Sequence, residues 1–178
     1  MAAHRMVWEF IEARDYQVMR KVHRWRPPRW MRFWMVASTR LGDGWIWYSI
    51  GILLLLFGGE MRFLAFAASA SAEAATVFLF RFLKKASKRK RPCQLESHCW
   101  AKILPPDQFS FPSGHAMSAF AIAIPLCIFY PPLQAALLAL AVSIAVSRVI
   151  LGMHFVSDVV VGSLLGAGLG YSAYLVLR

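Results

Sequence analysis

Apolar residues fall into five runs, separated by charges, prolines and glycines. They extend from about Gly44 to Gly59, Phe63 to Leu83, Ala116 to Tyr130, Leu133 to Leu151 and Phe155 to Leu177. A helix needs roughly 17–25 mostly apolar residues to cross a bilayer. The pattern therefore predicts an all-α transmembrane helical bundle of five to six spans, five of them within residues 44–178 and a short sixth only if the N-terminal segment supplies it. Pro131-Pro132 closes the third run, because proline cannot continue a helix and restrains the residue before it. Gly162, Gly166 and Gly170 form a repeated G-x-x-x-G, and Ala67 to Ala75 is almost entirely Ala and Ser. Inside lipid such faces let helix backbones approach closely, so a tightly packed bundle is expected. The glycine faces are equally suited to packing within one chain or between chains, and oligomeric state is left open.

Residues 1–43 follow a different pattern. Arg14, Arg20, Lys21, Arg24, Arg26, Arg29 and Arg32 alternate with Trp8, Trp25, Trp30, Phe33 and Trp34. Such a mixture predicts an N-terminal amphipathic segment lying in the membrane interface, with aromatics at headgroup depth and cations on anionic lipid. Pro27-Pro28 is expected to split it in two. Met1 to Arg40 contains no continuous apolar core, so no cleavable signal peptide is predicted.

Composition narrows the class. Of 178 residues, 58% are hydrophobic and only 16% charged, which excludes disorder and repeat fibres and places the chain among integral membrane proteins. Three cysteines cannot build a disulfide framework. The net charge of +11 is confined to the short polar stretches. Clustered cations suit anionic partners, namely membrane lipids or a phosphorylated substrate. Nucleic acid is not expected as a partner, since binding it requires no bilayer-length runs.

Counting spans brings the polar stretches together. The second span exits into residues 84–112 and the third enters from that face. The fourth returns to it at Ser147 and Arg148, and the fifth leaves it after His154 and Asp158. In the basic run, Lys84, Lys88 and Arg91 have i, i+4, i+7 spacing and would share a helix face. Such a run also serves ordinary binding to lipid headgroups. Pro112-Ser113-Gly114-His115 leads directly into the third span. A hydroxyl, a glycine backbone and the unpaired N–H groups of a helix N-terminus form an anion cradle, and they equally form a plain N-capped turn. His115 is the side chain there that could shuttle a proton near neutral pH. His154 and Asp158 are i, i+4, so on a helix the carboxylate would hold one ring nitrogen and leave the other basic. Arg148 offers a planar fork for phosphate oxygens. Two histidines among these cations suit attack on phosphorus by one and protonation of the leaving oxygen by the other. The acidic residues are too few and scattered for a two-metal phosphatase, and Cys93, His98 and Cys99 lack zinc spacing, reading as loop residues or disulfide partners.

These residues resemble the type-2 phosphatidic acid phosphatase superfamily of integral membrane lipid phosphatases. Its signature of K-x6-RP, PSGH and SR-x5-H-x3-D is matched by Lys84-x6-Arg91-Pro92, Pro112-Ser113-Gly114-His115 and Ser147-Arg148-x5-His154-x3-Asp158. The resemblance covers roughly residues 41–178. It implies that His154 is a nucleophile forming a phosphohistidine, that Asp158 orients it, and that His115 serves as general acid and then base. It also implies that Lys84, Arg91, Ser113, Gly114 and Arg148 bind phosphate, that no metal or cofactor is used, and that the substrate is a lipid phosphate or pyrophosphate. The family's bundle normally has six helices, one more than the five apolar runs. A phosphotransferase using the same phosphohistidine, and a non-catalytic protein binding anionic lipid, are the rival classes. Phosphatidic acid, phosphatidylglycerol phosphate, polyprenyl pyrophosphate, lipid A and sphingoid phosphates all fit this headgroup chemistry.

The face of the cell membrane is contested by two considerations. If the N-terminus does not cross, only Arg62 and Arg178 of the 20 Lys and Arg lie away from the active-site face, which by the positive-inside rule favours the cytoplasm. Many bacterial members of the family face the periplasm instead.

Overall fold

The computed structural model describes residues 2–96 and 108–178, and these are helical almost throughout. In chain order the helices are α1 (Ala2–Arg24), α2 (Arg29–Leu41), α3 (Trp45–Phe57), α4 (Arg62–Ser87), α5 (Pro92–Leu95), α6 (Gly114–Phe129), α7 (Gln134–Ile150) and α8 (Val156–Leu177). A 3-10 turn, Pro131–Leu133, leads into α7. His98 and Cys99 of the expected loop lie outside the described residues.

Helix α6 is the axis of the bundle and packs against α4, α7 and α8. It is apolar on all sides, as a helix enclosed by others must be, and Ala116, Ala119, Ala121 and Ala123 are fully buried. The glycine repeat of α8 faces it. A Cβ at Gly162, Gly166 or Gly170 would stand 2.7, 2.0 or 2.7 Å from the carbonyl oxygens of Ser113, Met117 and Ala121, one turn apart along α6. The three glycines therefore pack within the chain, and they set how closely the N-termini of α6 and α8 approach.

The five expected apolar runs each form a helix, but fewer are long enough to cross alone. Helix α4, α7 with its leading turn, and α8 have the length and apolarity of a span. Helices α2 and α3 together form a fourth, bent by 61°. With 16 residues α6 is about 24 Å long, less than the bilayer core of roughly 30 Å. Its start is recessed because the polar segment before it folds inward, burying Ser110 and Ser113 completely.

The N-terminal segment divides at Pro27-Pro28 into two helices with different roles. Helix α2 packs on α7 and buries Met35, Ser38 and Thr39, so it joins the bundle. Helix α1 carries too much charge to span and touches α7 and α8 at their polar ends. Trp8 meets the edge of Phe111 with 6.1 Å between ring centroids, and Tyr16 donates to Glu96 over 2.8 Å.

Candidate active site

The basic run does not stay helical. Helix α4 ends at Ser87, and Lys88 takes a left-handed conformation with φ 48°. The chain then runs extended beside residues 109–111, with Ser110 N–H donating to the Arg89 carbonyl over 2.7 Å and Lys90 bridged to Phe109. Lys84, Lys88 and Arg91 thus do not share a helix face. The operative period is two: Lys88 and Lys90 are exposed, while Arg89 and Arg91 point inward. Lys84, on the last turn of α4, is buried with its ammonium 4.3 Å from the centroid of the Phe80 ring.

His154 owes its position to the end of α7. Gly152 adopts φ 68°, which lets the N–H groups of Met153 and His154 both donate to the Arg148 carbonyl, over 3.0 and 3.1 Å. The five-residue gap between Arg148 and His154 is therefore the length of this helix-terminating turn. Arg148 is buried beside it and donates to Thr39 Oγ1 of α2 over 2.5 Å.

The ring of His154 is held at both nitrogens. Nδ1 lies 2.6 Å from the Ser110 carbonyl, which can only accept, so Nδ1 carries the proton. Nε2 lies 3.0 Å from Arg91 Nη1, which can only donate, so Nε2 presents its lone pair. Burial pushes the imidazole down to about 3, and Arg91 and Arg148 act in the same direction against Asp158. A neutral ring with a basic nitrogen aimed at cations results.

Asp158 differs from its expected place. His154 precedes α8, so the pair does not share a helix, and Asp158 Oδ2 is 3.8 Å from Nδ1. The carboxylate instead caps its own helix, Oδ2 accepting from Phe155 N–H over 2.8 Å and from the Ser110 hydroxyl. It thereby fixes the residue whose carbonyl holds His154. Its Oδ1 accepts from Arg89 over 2.6 Å. The other arm of Arg89 donates to Asp15 of α1 over 2.8 Å, and Asp15 also accepts from Ser157 N–H and hydroxyl. Arg89 and Asp15 are both buried, so this is a paired, solvent-excluded chain from α1 to Asp158.

Sequence reasoning passed over Asp15, Arg89, Ser110, Thr39 and Asp43. Asp43, in the turn between α2 and α3, stands 2.9 Å from Nε2 of His115 and orients that ring. One signal was available: Asp15 is in register with Trp8, Ile11 and Met19 on the less exposed face of α1, where a carboxylate needs a partner.

Lys84, Arg91, Gly114, His115, Arg148 and His154 all line one cavity of about 560 Å³. Ser113 and Asp158 lie behind it. Ser113 N–H donates to the Asp158 carbonyl over 3.0 Å and so is not part of an anion cradle, while its buried hydroxyl has no partner among the described residues. The N–H groups of Gly114, His115 and Ala116 open the first turn of α6, where no helical acceptor exists for them. Among the described residues no His, Cys, Asp and Glu side chains gather in threes as metal ligands would. The arrangement suits a multiply charged anion beside an uncharged, basic ring nitrogen, with a second, carboxylate-supported histidine across the cavity.

Known proteins resemble this chain in fold and sequence. LpxE of Aquifex aeolicus superposes with a TM-score of 0.75 at 28% identity, over 88% of this chain and 92% of that one. A transmembrane PAP2-type phosphatidylglycerolphosphate phosphatase from Bacillus subtilis gives 0.70 at 25% identity, over 92% and 84%. A lipid A 1-phosphatase of Rhizobium johnstonii is 31% identical over 93 residues, which are 50% of this chain but only 38% of that protein. An undecaprenyl-diphosphatase of Sulfolobus acidocaldarius is 29% identical over 138 residues, 77% of this chain and 66% of that protein. The PAP2 superfamily's sequence profile matches residues 63–178, the region that supplies every cavity-lining cation and both histidines, and the chain belongs to that superfamily.

Proposed function

We propose that this protein is a membrane-embedded phosphatase that hydrolyses a phosphate or diphosphate ester of a lipid through a phosphohistidine on His154. Nε2 attacks phosphorus in line with the ester oxygen; the N–P bond forms as the P–O bond to the lipid breaks. His115, supported by Asp43, protonates the departing oxygen. It then takes a proton from the water that attacks phosphorus, and the N–P bond breaks to release inorganic phosphate. Lys84, Arg91 and Arg148 stabilise the equatorial oxygens, joined by the N–H groups that open α6. Asp158 acts through Ser110 on the orientation of His154. No metal enters this scheme, because fixed cations supply the positive charge.

The observation that carries the reading is the fixed tautomer of His154, with its lone pair beside Arg91 in a cavity of cations. Purified protein in detergent should release phosphate from a lipid phosphate in the presence of EDTA. His154→Ala should lower turnover by 10³-fold or more while the protein stays folded, since the nucleophile itself is gone. Turnover that survives the substitution refutes the assignment, and product recovered as a phosphorylated acceptor would mean phosphotransfer instead.

A further inference from the structure

The cavity continues past the histidines, between α3, α4 and α6, where its largely apolar wall carries polar groups. One turn of α6 below His115, Ser118 donates to Glu73 Oε1 of α4 over 2.8 Å. The other oxygen, Glu73 Oε2, is buried and has no partner among the described residues. The same holds for Thr76 Oγ1 on the next turn of α4 and for Trp47 Nε1 on α3, in residues only 1% and 8% exposed. All four side chains line the cavity. An acceptor, a hydroxyl and an N–H donor from two helices, α3 and α4, thus belong to side chains that line one space at membrane depth.

Groups like these are costly inside a bilayer unless something completes their hydrogen bonds. Packing alone does not call for them, since leucine or phenylalanine would fill the same volume without the cost. Their depth identifies what would complete them. His115 is placed to protonate the leaving oxygen, so the group one turn below it, about 5 Å along α6, meets the alcohol half of the substrate.

We propose that Glu73, Thr76 and Trp47 form a recognition subsite for that alcohol half, and that the preferred substrate carries a hydroxyl or amine donor close to its phosphate ester, as a glycerol or sugar carrier does. The inference rests on the phosphatase reading and adds a substrate class to it. A polyprenyl carrier offers only hydrocarbon at this depth and would leave carboxylate and indole unpaired. A second phosphate there would set an anion against Glu73.

The test uses the full chain in detergent with two lipids differing by one group: monooleoyl glycerol phosphate, with its free central hydroxyl, and the propanediol analogue that lacks it. Wild type should favour the hydroxylated lipid by about tenfold or more in kcat/KM, because a site built to hydrogen-bond a hydroxyl rejects its absence. In Glu73→Ala, and independently in Trp47→Phe, that ratio should collapse toward one. A purely structural role would lower both rates together and leave the ratio unchanged, which overturns the proposal, as does a wild-type ratio near one. Binding of both lipids to His154→Ala separates the two claims. Discrimination in binding without wild-type turnover removes the phosphatase reading and keeps the subsite. Turnover without discrimination keeps the phosphatase and removes the subsite, and neither removes both.

Discussion

Alanine at Gly166 and alanine at Gly168 should have opposite consequences, although the two glycines lie half a turn apart on α8. At Gly166 the new methyl would stand 2.0 Å from the Met117 carbonyl oxygen, 2.8 Å from its carbon and 3.0 Å from its Cα. A carbon–oxygen contact relaxes at about 3.3 Å, so the two helices must part by roughly 1.3 Å at this crossing. All three obstacles are backbone, so no rotamer change relieves them. Overpacking of this kind costs about 1–3 kcal/mol. The upper end is expected, because Gly162 and Gly170, where a Cβ would stand 2.7 Å from an α6 carbonyl oxygen, hold α8 against α6 on either side. At Gly168 a Cβ meets nothing within 4 Å, and alanine should be neutral or gain up to about 1 kcal/mol from helix propensity. Thermal unfolding in detergent, followed by tryptophan fluorescence, reads both. At roughly 2–4 °C per kcal/mol for a chain of this size, Gly166→Ala should fall by several degrees and Gly168→Ala should not fall. Activity should drop with the first, since parting the helices pulls Ser113 N–H from the Asp158 carbonyl, now 3.0 Å away, and loosens the wall behind His154. A fully stable and active Gly166→Ala would refute the packing argument and assign the glycine repeat to a contact outside the chain.

Two further outcomes follow from the buried charges. Asp15→Ala removes the partner of one arm of Arg89 and should lower kcat about tenfold with little change in KM; Asp15→Asn, which keeps an oxygen for Ser157 N–H, should recover part of the loss, and an unchanged kcat in both would show that the α1 chain is idle. Because the folded ring of His154 resists protonation down to about pH 3, the unfolded chain binds a proton there first, so stability should fall as pH drops below about 6.5 by at most about 1.4 kcal/mol per unit. His154→Gln removes that component, so melting temperature measured from pH 7 to pH 4 should fall less steeply in the variant than in wild type; parallel curves would contradict the burial of a neutral imidazole.

The apolar runs were legible because lipid imposes length and composition directly, and each became a helix close to its expected place. The run around α6 was overvalued as a full span, since nothing in its composition reveals that the preceding polar segment folds in and recesses its start. The residues that line the cavity were legible for a different reason. Lys84, Arg91, His115, Arg148 and His154 are proposed to touch one anion, so their types and spacings answer to its chemistry together with short local turns such as the one at Gly152.

Arg89 and Asp15 answer to neither constraint. Their task is to compensate a buried carboxylate, and any cation reaching Asp158 from any element could do so, which leaves no spacing to read. Arg89 was further concealed by its setting. In a run of cations the choice of inward residues depends on whether the period is 3.6 or two, and that period changes at Lys88, where the helix stops. The stop is made by pairing with residues 109–111, which lie about twenty positions further on and come near only when α4 and α6 are packed. The identity of the supporting residues is thus a property of the assembled bundle. The same reasoning places Glu73 between the two groups: a lone carboxylate within an apolar run is conspicuous in sequence, whereas its partner Ser118 on α6 emerges only from the fold.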